Sequence, residues 1–385
     1  MNTKLSGNRN AVAFEYLSSI FSGQIHAKRI ESLANGALGV MVSASLAVSF
    51  IGLALAQARN LNAKHAIKQV DRMLGNTKII VWDIFSKWVP ELVGQRQAIV
   101  VAMDWTDFDA DDQATLVLSM VTAHGRATPL LWLSVGKDEL KDSRNDFEDL
   151  CLSRLKTVLP AGTGVTILAD RGFGDVKLFE FLDSLGFSYC IRIRGNIHVT
   201  AADGETRLAS DWVGKGGRAR KLAGAGVTAA QYRVGAVVCV HAKGMKDSWC
   251  LVTSETEATT REIVNLYSKR WTIEPSFRDS KDLRFGMGLS SIRIGNPQKR
   301  DRLLLLNAIA IALLTMLGCA GENLGFDRML KSNTSKLRTH SLFRQGCMLY
   351  DLIPNMEDLR LLPLMNRFNE IMHESRTVVA VFGIV

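Results

Sequence analysis

Three acidic residues and one cationic stripe are the parts of this chain whose types and spacing could do chemistry. Asp104 ends the apolar run Gln97-Ala-Ile-Val-Val-Ala-Met-Asp104, and Asp170 ends Gly164-Val-Thr-Ile-Leu-Ala-Asp170. A carboxylate at the end of a buried strand leaves the core and faces the crevice beyond the sheet edge, where α/β folds place ligands. Glu274 stands among Lys269, Arg270, Arg278 and Lys281 in Tyr267-Ser-Lys-Arg270-Trp-Thr-Ile-Glu274-Pro-Ser-Phe-Arg278-Asp-Ser-Lys281. Positions 267, 270, 274, 278 and 281 share one helical face, and burying such a stripe in a core would be costly. If the two strands are neighbours and this helix packs beside them, three carboxylates meet. Like charges that close repel unless a hard cation neutralises them, and oxygen ligands suit Mg²⁺, with Mn²⁺ as a substitute. Two such ions about 4 Å apart would activate a water or a 3′-hydroxyl and stabilise the leaving oxygen in an in-line displacement at phosphorus.

Plainer readings stand beside this one. A charge run is often a solvated helix face, though the aromatic in this stripe suits a surface that tracks phosphates. Asp also terminates strands as a turn residue. Asp107, Asp109, Asp111 and Asp112 read as loop residues, because an EF-hand would need a Gly and a distal Glu in register. His124 and His198 lack metal-ligand spacing and read as turn or surface residues. Arg171-Gly-Phe-Gly174 is too short for a phosphate-binding loop, yet Arg171 is within reach of DNA, as is Lys177 on the next helix. Pro275 removes a backbone donor and opposes the carbonyl of Trp271, so a kink or helix end is expected beside Glu274.

The elements that must position these residues follow from period and composition. Residues 1–95 read as helices near 11–22, 26–34, 36–58 and 63–74, with Lys64, Lys68 and Arg72 on one face suited to DNA. That region holds ten Lys/Arg against five Asp/Glu. From 96 the period becomes that of strands, in the order β-β-β-α-β-α-β up to residue 194. Residues 195–247 are Gly-rich and basic and read as a β-rich insertion; 248–320 return to the core, and 321–385 form a mostly helical tail with breaks at Pro354 and Pro363. Thr259-Thr-Arg-Glu262 has the spacing of a capping box and opens the helix that carries Glu274.

The chain has 385 residues and a formal charge of +9, which favours a polyanionic partner, nucleic acid before an anionic membrane surface. Its six scattered cysteines include no C-x-x-C pair, as expected in a reducing cytosol. No secretory leader pattern opens it. Residues 36–58 carry no charge and are long enough to span a bilayer, which takes about 20 apolar residues. Their Gly, Ser and Ala content makes a buried core helix the better reading, and the same holds for 303–320.

The strand order and the trio Asp104, Asp170, Glu274 resemble DDE transposases with a ribonuclease H-like core. Tyr267-x2-Arg270-x3-Glu274-x6-Lys281 is similar to the Tyr-Arg-Glu-Lys signature of one subgroup of cut-and-paste bacterial insertion-sequence transposases, and the insertion before the Glu is similar too. The resemblance covers roughly 96–290. It implies an α/β, ribonuclease H-like mixed sheet flanked by helices, with Asp104, Asp170 and Glu274 as catalytic metal ligands. It also implies that Tyr267, Arg270 and Lys281 hold phosphates of the transposon end; Arg278, on the same stripe, is a further candidate for DNA contact. Members of the subgroup often cut through a hairpin with a flipped base stacked on a tryptophan, for which Trp212 is the candidate.

The expectation is therefore a DNA transposase that cleaves terminal inverted repeats and joins the 3′-hydroxyl to target DNA. It would act in the bacterial cytoplasm, on the nucleoid, as a homodimer on double-stranded DNA and with no membrane. Residues 1–95 would bind the ends, 96–194 and 248–320 form the catalytic core, 195–247 the insertion, and 321–385 serve dimerisation or target contacts. The rival readings are a ribonuclease H-like nuclease without strand transfer and an inactive transposase-derived regulator.

Overall fold

The computed structural model describes residues 13–283 and 286–373. Arg284, a further cation of the stripe, lies outside them, as do the two ends of the chain. The N-terminal part is helical as expected: α1 (13–21), α2 (Ala27–Ser43), α3 (Val48–Arg59), α4 (Ala63–Leu74) and α5 (Val81–Val93). The uncharged run 36–58 is not one helix. The chain leaves α2 through Ala44 at φ 47° and restarts at Val48, bending by 97°. Gly39 permits this tight crossing, since a Cβ there would lie 2.6 Å from the Ile51 carbonyl oxygen.

The sheet region follows with β1 (Ala98–Phe108), β2 (Gln113–Val121), β3 (Ala127–Gly136), α6 (Arg144–Val158), β4 (Gly164–Ala169), α7 (Val176–Leu185) and β5 (Ser188–Ile193). This is the β-β-β-α-β-α-β order read from the sequence. β2 is buried along its whole length, which explains its apolar, non-alternating composition. Residues 195–247 then supply β6 (His198–Thr200), β7 (Thr206–Leu208), β8 (Arg220–Ala223), β9 (Gly226–Val227), β10 (Tyr232–Arg233) and β11 (Ala236–Val240), followed by β12 (Trp249–Thr253). The main sheet has eight strands in the order β3-β2-β1-β4-β5-β12-β11-β8, and a second sheet has the order β10-β9-β6-β7. The insertion thus builds a small sheet of its own and also lends β8 and β11 to the main one. β1, β4 and β5 run parallel to one another, and every other pairing in the main sheet is antiparallel.

Helices α8 (Thr260–Ser268), α9 (Ile273–Lys281), α10 (Pro297–Asn323), α11 (Leu342–Leu352) and α12 (Asp358–His373) complete the described chain. The long apolar α10 is the central strut: 89% of its most apolar stretch is buried inside the fold. It packs against β3, α2, α11 and α12, so one hydrophobic core joins the N-terminal helices, the sheet and the C-terminal helices. Its crossing with α11 is backbone-close, because a Cβ on Gly346 would meet the Leu314 carbonyl oxygen at 1.8 Å. Even its charged end is used structurally. Arg302 donates to the carbonyls of Leu74 and Ile79, satisfying the end of α4. Pro363 does not break the tail as expected; it lies in the second turn of α12.

Candidate active site

The parallel part of the sheet sets the first row of the site. β1 pairs with β4 up to Met103 opposite Ala169, and β4 with β5 up to Ala169 opposite Ile191. The next residues on these three strands are Asp104, Asp170 and Arg192, which therefore stand side by side at the carboxyl edge. Asp104 is not the last residue of its strand, as the apolar run suggested. β1 continues to Phe108 against β2 alone, so Asp104 marks the end of the parallel rungs and not the end of the strand. Asp170 does follow the end of β4, and its Oδ1 accepts the Gly172 N–H at 2.7 Å, a local turn that fixes the carboxylate.

The second wall is the helical segment 260–281. It opens with the expected capping box, the Thr259 side chain accepting from Glu262 N–H while the Glu262 carboxylate accepts from Thr259 N–H. Between α8 and α9 the chain tightens into a 3₁₀ turn over Lys269–Thr272. That turn supplies the irregularity that Pro275 demands. The proline sits in the first turn of α9, where a missing N–H costs little. Side-chain contacts then pin α9 to the start of β3 and to α10. Ser276 Oγ accepts the Ala127 N–H at 3.0 Å and donates to the Ala127 carbonyl at 2.9 Å. Arg126 pairs with Asp279, and Asn307 of α10 donates to Ser280 Oγ at 2.8 Å.

Glu274 and Asp104 meet through Arg270. Its guanidinium, buried to 6% exposure, lies 3.6 Å from Asp104 and 3.4 Å from Glu274. Burial pushes the Asp104 carboxyl up to about 6; Arg270 opposes the shift, and the neighbouring charges of Asp170 and Glu274 add to it. The three carboxylates therefore share one electrostatic site. Tyr267 packs its ring edge-on against Trp249 at 5.0 Å, with Arg270 6.0 Å from the ring centre. Burial raises its hydroxyl pKa, against the opposing pull of Arg270 and Arg192.

Asp104, Asp170 and Glu274 offer only oxygen donors, and the repulsion registered at Asp104 is what a divalent cation would relieve, so their chemistry fits Mg²⁺ or Mn²⁺. Among the described residues no three His, Cys, Asp or Glu side chains are gathered into a ready-made metal cluster. Arg270 is the local counter-charge between Asp104 and Glu274.

The other expected residues occupy different settings. Lys281 reaches back to β1, its amine donating to Thr106 Oγ1 at 3.0 Å and to the Asp107 carbonyl at 2.7 Å. Arg278, Arg171 and Lys177 are exposed, as are Lys64, Lys68 and Arg72 along α4. Tyr267 and Arg270 are buried and face the protein's own groups, not a free surface. Trp212, the base-stacking candidate, sits inside the insertion. It is fully buried, its indole N–H donates to the Val199 carbonyl at 3.1 Å, and Arg207 and Arg220 each lie 4.8 Å from its ring. As folded it is a core residue of the insertion with no face open to a base. His124, expected near the surface, is buried at 3% exposure, and burial together with Arg338 and Arg126 pushes its pKa down to about 4.

Two features escaped sequence reasoning. Arg192 joins the carboxylate row; its signal was a cation inside the otherwise apolar strand Tyr-Cys-Ile-Arg-Ile. The second is a brace beside Asp104. Trp105 donates its indole N–H to the buried Glu148 at 2.8 Å, and Arg144 reaches the same carboxylate at 3.2 Å while covering the Trp105 ring. Arg144 and Glu148 have the i,i+4 spacing of a helical ion pair, but no spacing in the sequence links them to Trp105.

A mixed sheet of this strand order, with acidic residues at its parallel edge and a third on a helix packed over it, defines the ribonuclease H-like class. The Transposase DDE domain family matches residues 96–313, more than half of the chain, and the chain belongs to that family. A comparison with curated proteins gives no match.

Proposed function

We propose that the protein is a cut-and-paste DNA transposase of the Tyr-Arg-Glu-Lys subgroup, which cleaves at terminal inverted repeats and transfers the 3′-hydroxyl to target DNA. The observation that carries this reading is the coupling of Asp104 and Glu274 through the buried Arg270, one strand from Asp170. Family membership supplies the reaction class. Asp104, Asp170 and Glu274 would hold Mg²⁺ or Mn²⁺, and such ions supply Lewis-acid activation of the attacking oxygen and stabilise the leaving one.

The chain's own residues set the stage for that chemistry. Arg270 keeps the like-charged carboxylates together before a cation or a phosphate arrives. Tyr267 and Trp271 flank the guanidinium, 6.0 and 4.9 Å from their ring centres, and Trp249 packs edge-on against Tyr267, a positioning role for the buried tyrosine. Lys281 ties α9 to β1 beyond Asp104. Arg278, Arg171 and Lys177 present exposed charge to a DNA backbone. Residues 1–95 bind the ends, with Lys64, Lys68 and Arg72 as the contact face; 96–194 and 248–320 make the catalytic core around the 195–247 insertion. Residues 321–385 serve pairing of two protomers or target contacts, and the protein works on the bacterial nucleoid.

The test is cleavage of a duplex that carries the inverted repeat flanking the reading frame. Mg²⁺-dependent nicking at the repeat boundary, followed by joining of the exposed 3′-end to a second DNA, is expected. Nicking without joining would favour a nuclease, and binding without nicking a regulator.

A further inference from the structure

A cleft of about 700 Å³ opens beside Asp170, where the end of β5 meets the insertion. Its lining includes Arg171, Arg192, Arg194, Lys246 and Asp247, so four cations face one carboxylate, with the His241 ring beside them. Two of those cations flank the catalytic row: Arg171 follows Asp170 in the chain, and Arg192 stands next to it across the sheet. Arg192 is held in place by donating to the Ser248 carbonyl at 3.1 Å, while its buried Nε has no hydrogen-bond partner among the described residues.

Asp247 occupies the centre of this charge. It lies on the loop between β11 and β12, 56% exposed, with one carboxylate oxygen 3.9 Å from Arg171 and 3.9 Å from Arg192. Both separations exceed hydrogen-bond length, so the carboxylate partly offsets the charge of two guanidinium groups without being locked to either. Exposed pairs of this kind are weak. A phosphodiester carries the same charge and more acceptor oxygens, and it forms paired hydrogen bonds with guanidinium groups.

We infer that the cleft receives a phosphate of the DNA strand flanking the scissile bond, and that Asp247 is an internal stand-in for this phosphate which the strand must displace. The inference rests on the transposase reading and deepens it by placing one stretch of substrate between the catalytic edge and the insertion. Asp247 then lowers affinity for DNA in general, so stable engagement depends on a strand that also fills the remainder of the site.

The test is a binding measurement in EDTA, independent of cleavage. A fluorescein-labelled duplex carrying the element's end is titrated at about 50 to 200 mM salt, a range over which phosphate contacts dominate affinity. Asp247→Asn is expected to bind about three- to tenfold tighter than the natural protein, as befits the loss of two weak competing pairs. The gain should shrink in an Arg192→Gln background and vanish once Arg171→Gln is added. Lys246→Gln, at an exposed position that leaves the core untouched, should weaken binding and reduce the salt slope by about one. Asp203→Asn, which neutralises another exposed acid of the insertion, should leave affinity unchanged. Equal gains from Asp247→Asn and Asp203→Asn, no gain at all, or a gain that survives Arg171→Gln and Arg192→Gln together would overturn the stand-in. If the natural protein fails to bind the duplex, the transposase reading fails first and takes this inference with it.

Discussion

Arg270 and Asp104 form a pair at 3.6 Å in which the guanidinium side chain is 7% exposed and the carboxylate 22%. The arginine stands four residues before Glu274, while the aspartate belongs to a strand far away in sequence, so this contact joins the two walls of the site. It also tunes the acid. Arg270 holds Asp104 below the value that burial alone would set. In Arg270→Gln the Asp104 carboxyl should titrate higher, and the acid limb of cleavage should move to higher pH by about one unit. Arg270→Lys should restore most of the position of that limb. A pH–rate profile checks both, and an unmoved limb in Arg270→Gln would disconnect the pair from activity.

Asp104 carries a stability signature as well. Its folded pKa of about 6 lies above the ordinary carboxylate value of 3.8. Between those values the folded chain holds a proton that the unfolded chain has released. Stability from this group is therefore full below about 4 and is lost as pH rises towards 6. Asp104→Asn should stabilise the metal-free protein at pH 7.5 by about 1–3 kcal/mol and flatten part of the decline across that window. Asp301, pushed up to about 7 by burial, keeps its own contribution in both proteins. Urea unfolding at several pH values measures the difference.

Ser276 pins α9 to β3 at two points, through the N–H and the carbonyl of Ala127. Ser276→Ala leaves the Ala127 N–H and carbonyl without their side-chain partner in a buried setting. The expected cost is about 1–3 kcal/mol in unfolding free energy. Cleavage should fall more than DNA binding, because Glu274 rides on the same turn.

Trp212 separates packing from recognition. A fully buried tryptophan truncated to alanine costs about 3–5 kcal/mol, so Trp212→Ala should lower the melting temperature sharply, and Trp212→Phe much less. A Trp212→Ala protein as stable as the natural one would show that the ring leaves its pocket readily, and would return it to consideration as a base-stacking group.

Much of this architecture was legible in the chain because it rests on local rules. Period-two and continuous apolar runs marked β1 to β5, and Thr259 with Glu262 marked the start of α8. Asp104 and Asp170 were found because acids at the ends of apolar runs conflict with burial. What remained hidden depends on contacts distant in sequence. The reach of β1 to Phe108 follows from pairing with β2, which no apolar pattern announces. The break at Ala44 was masked by an unbroken run of small apolar residues. Arg270 was legible as a cation in a stripe, but its orientation towards Asp104 needs the packing of α9 on β3. Trp212 looked available because its neighbours are basic and Gly-rich, whereas the small sheet of the insertion closes over it.

The central claim is that Asp104, Asp170 and Glu274 act as one catalytic unit. The most direct measurement compares Asp104→Asn, Asp170→Asn and Glu274→Gln with the natural protein on one end-bearing duplex, reading binding and Mg²⁺-dependent nicking in parallel. Residues that act as a unit fail together, so each variant should lose about 10³-fold or more in nicking while still binding the end. Full nicking and excision by any one of the three would contradict the account.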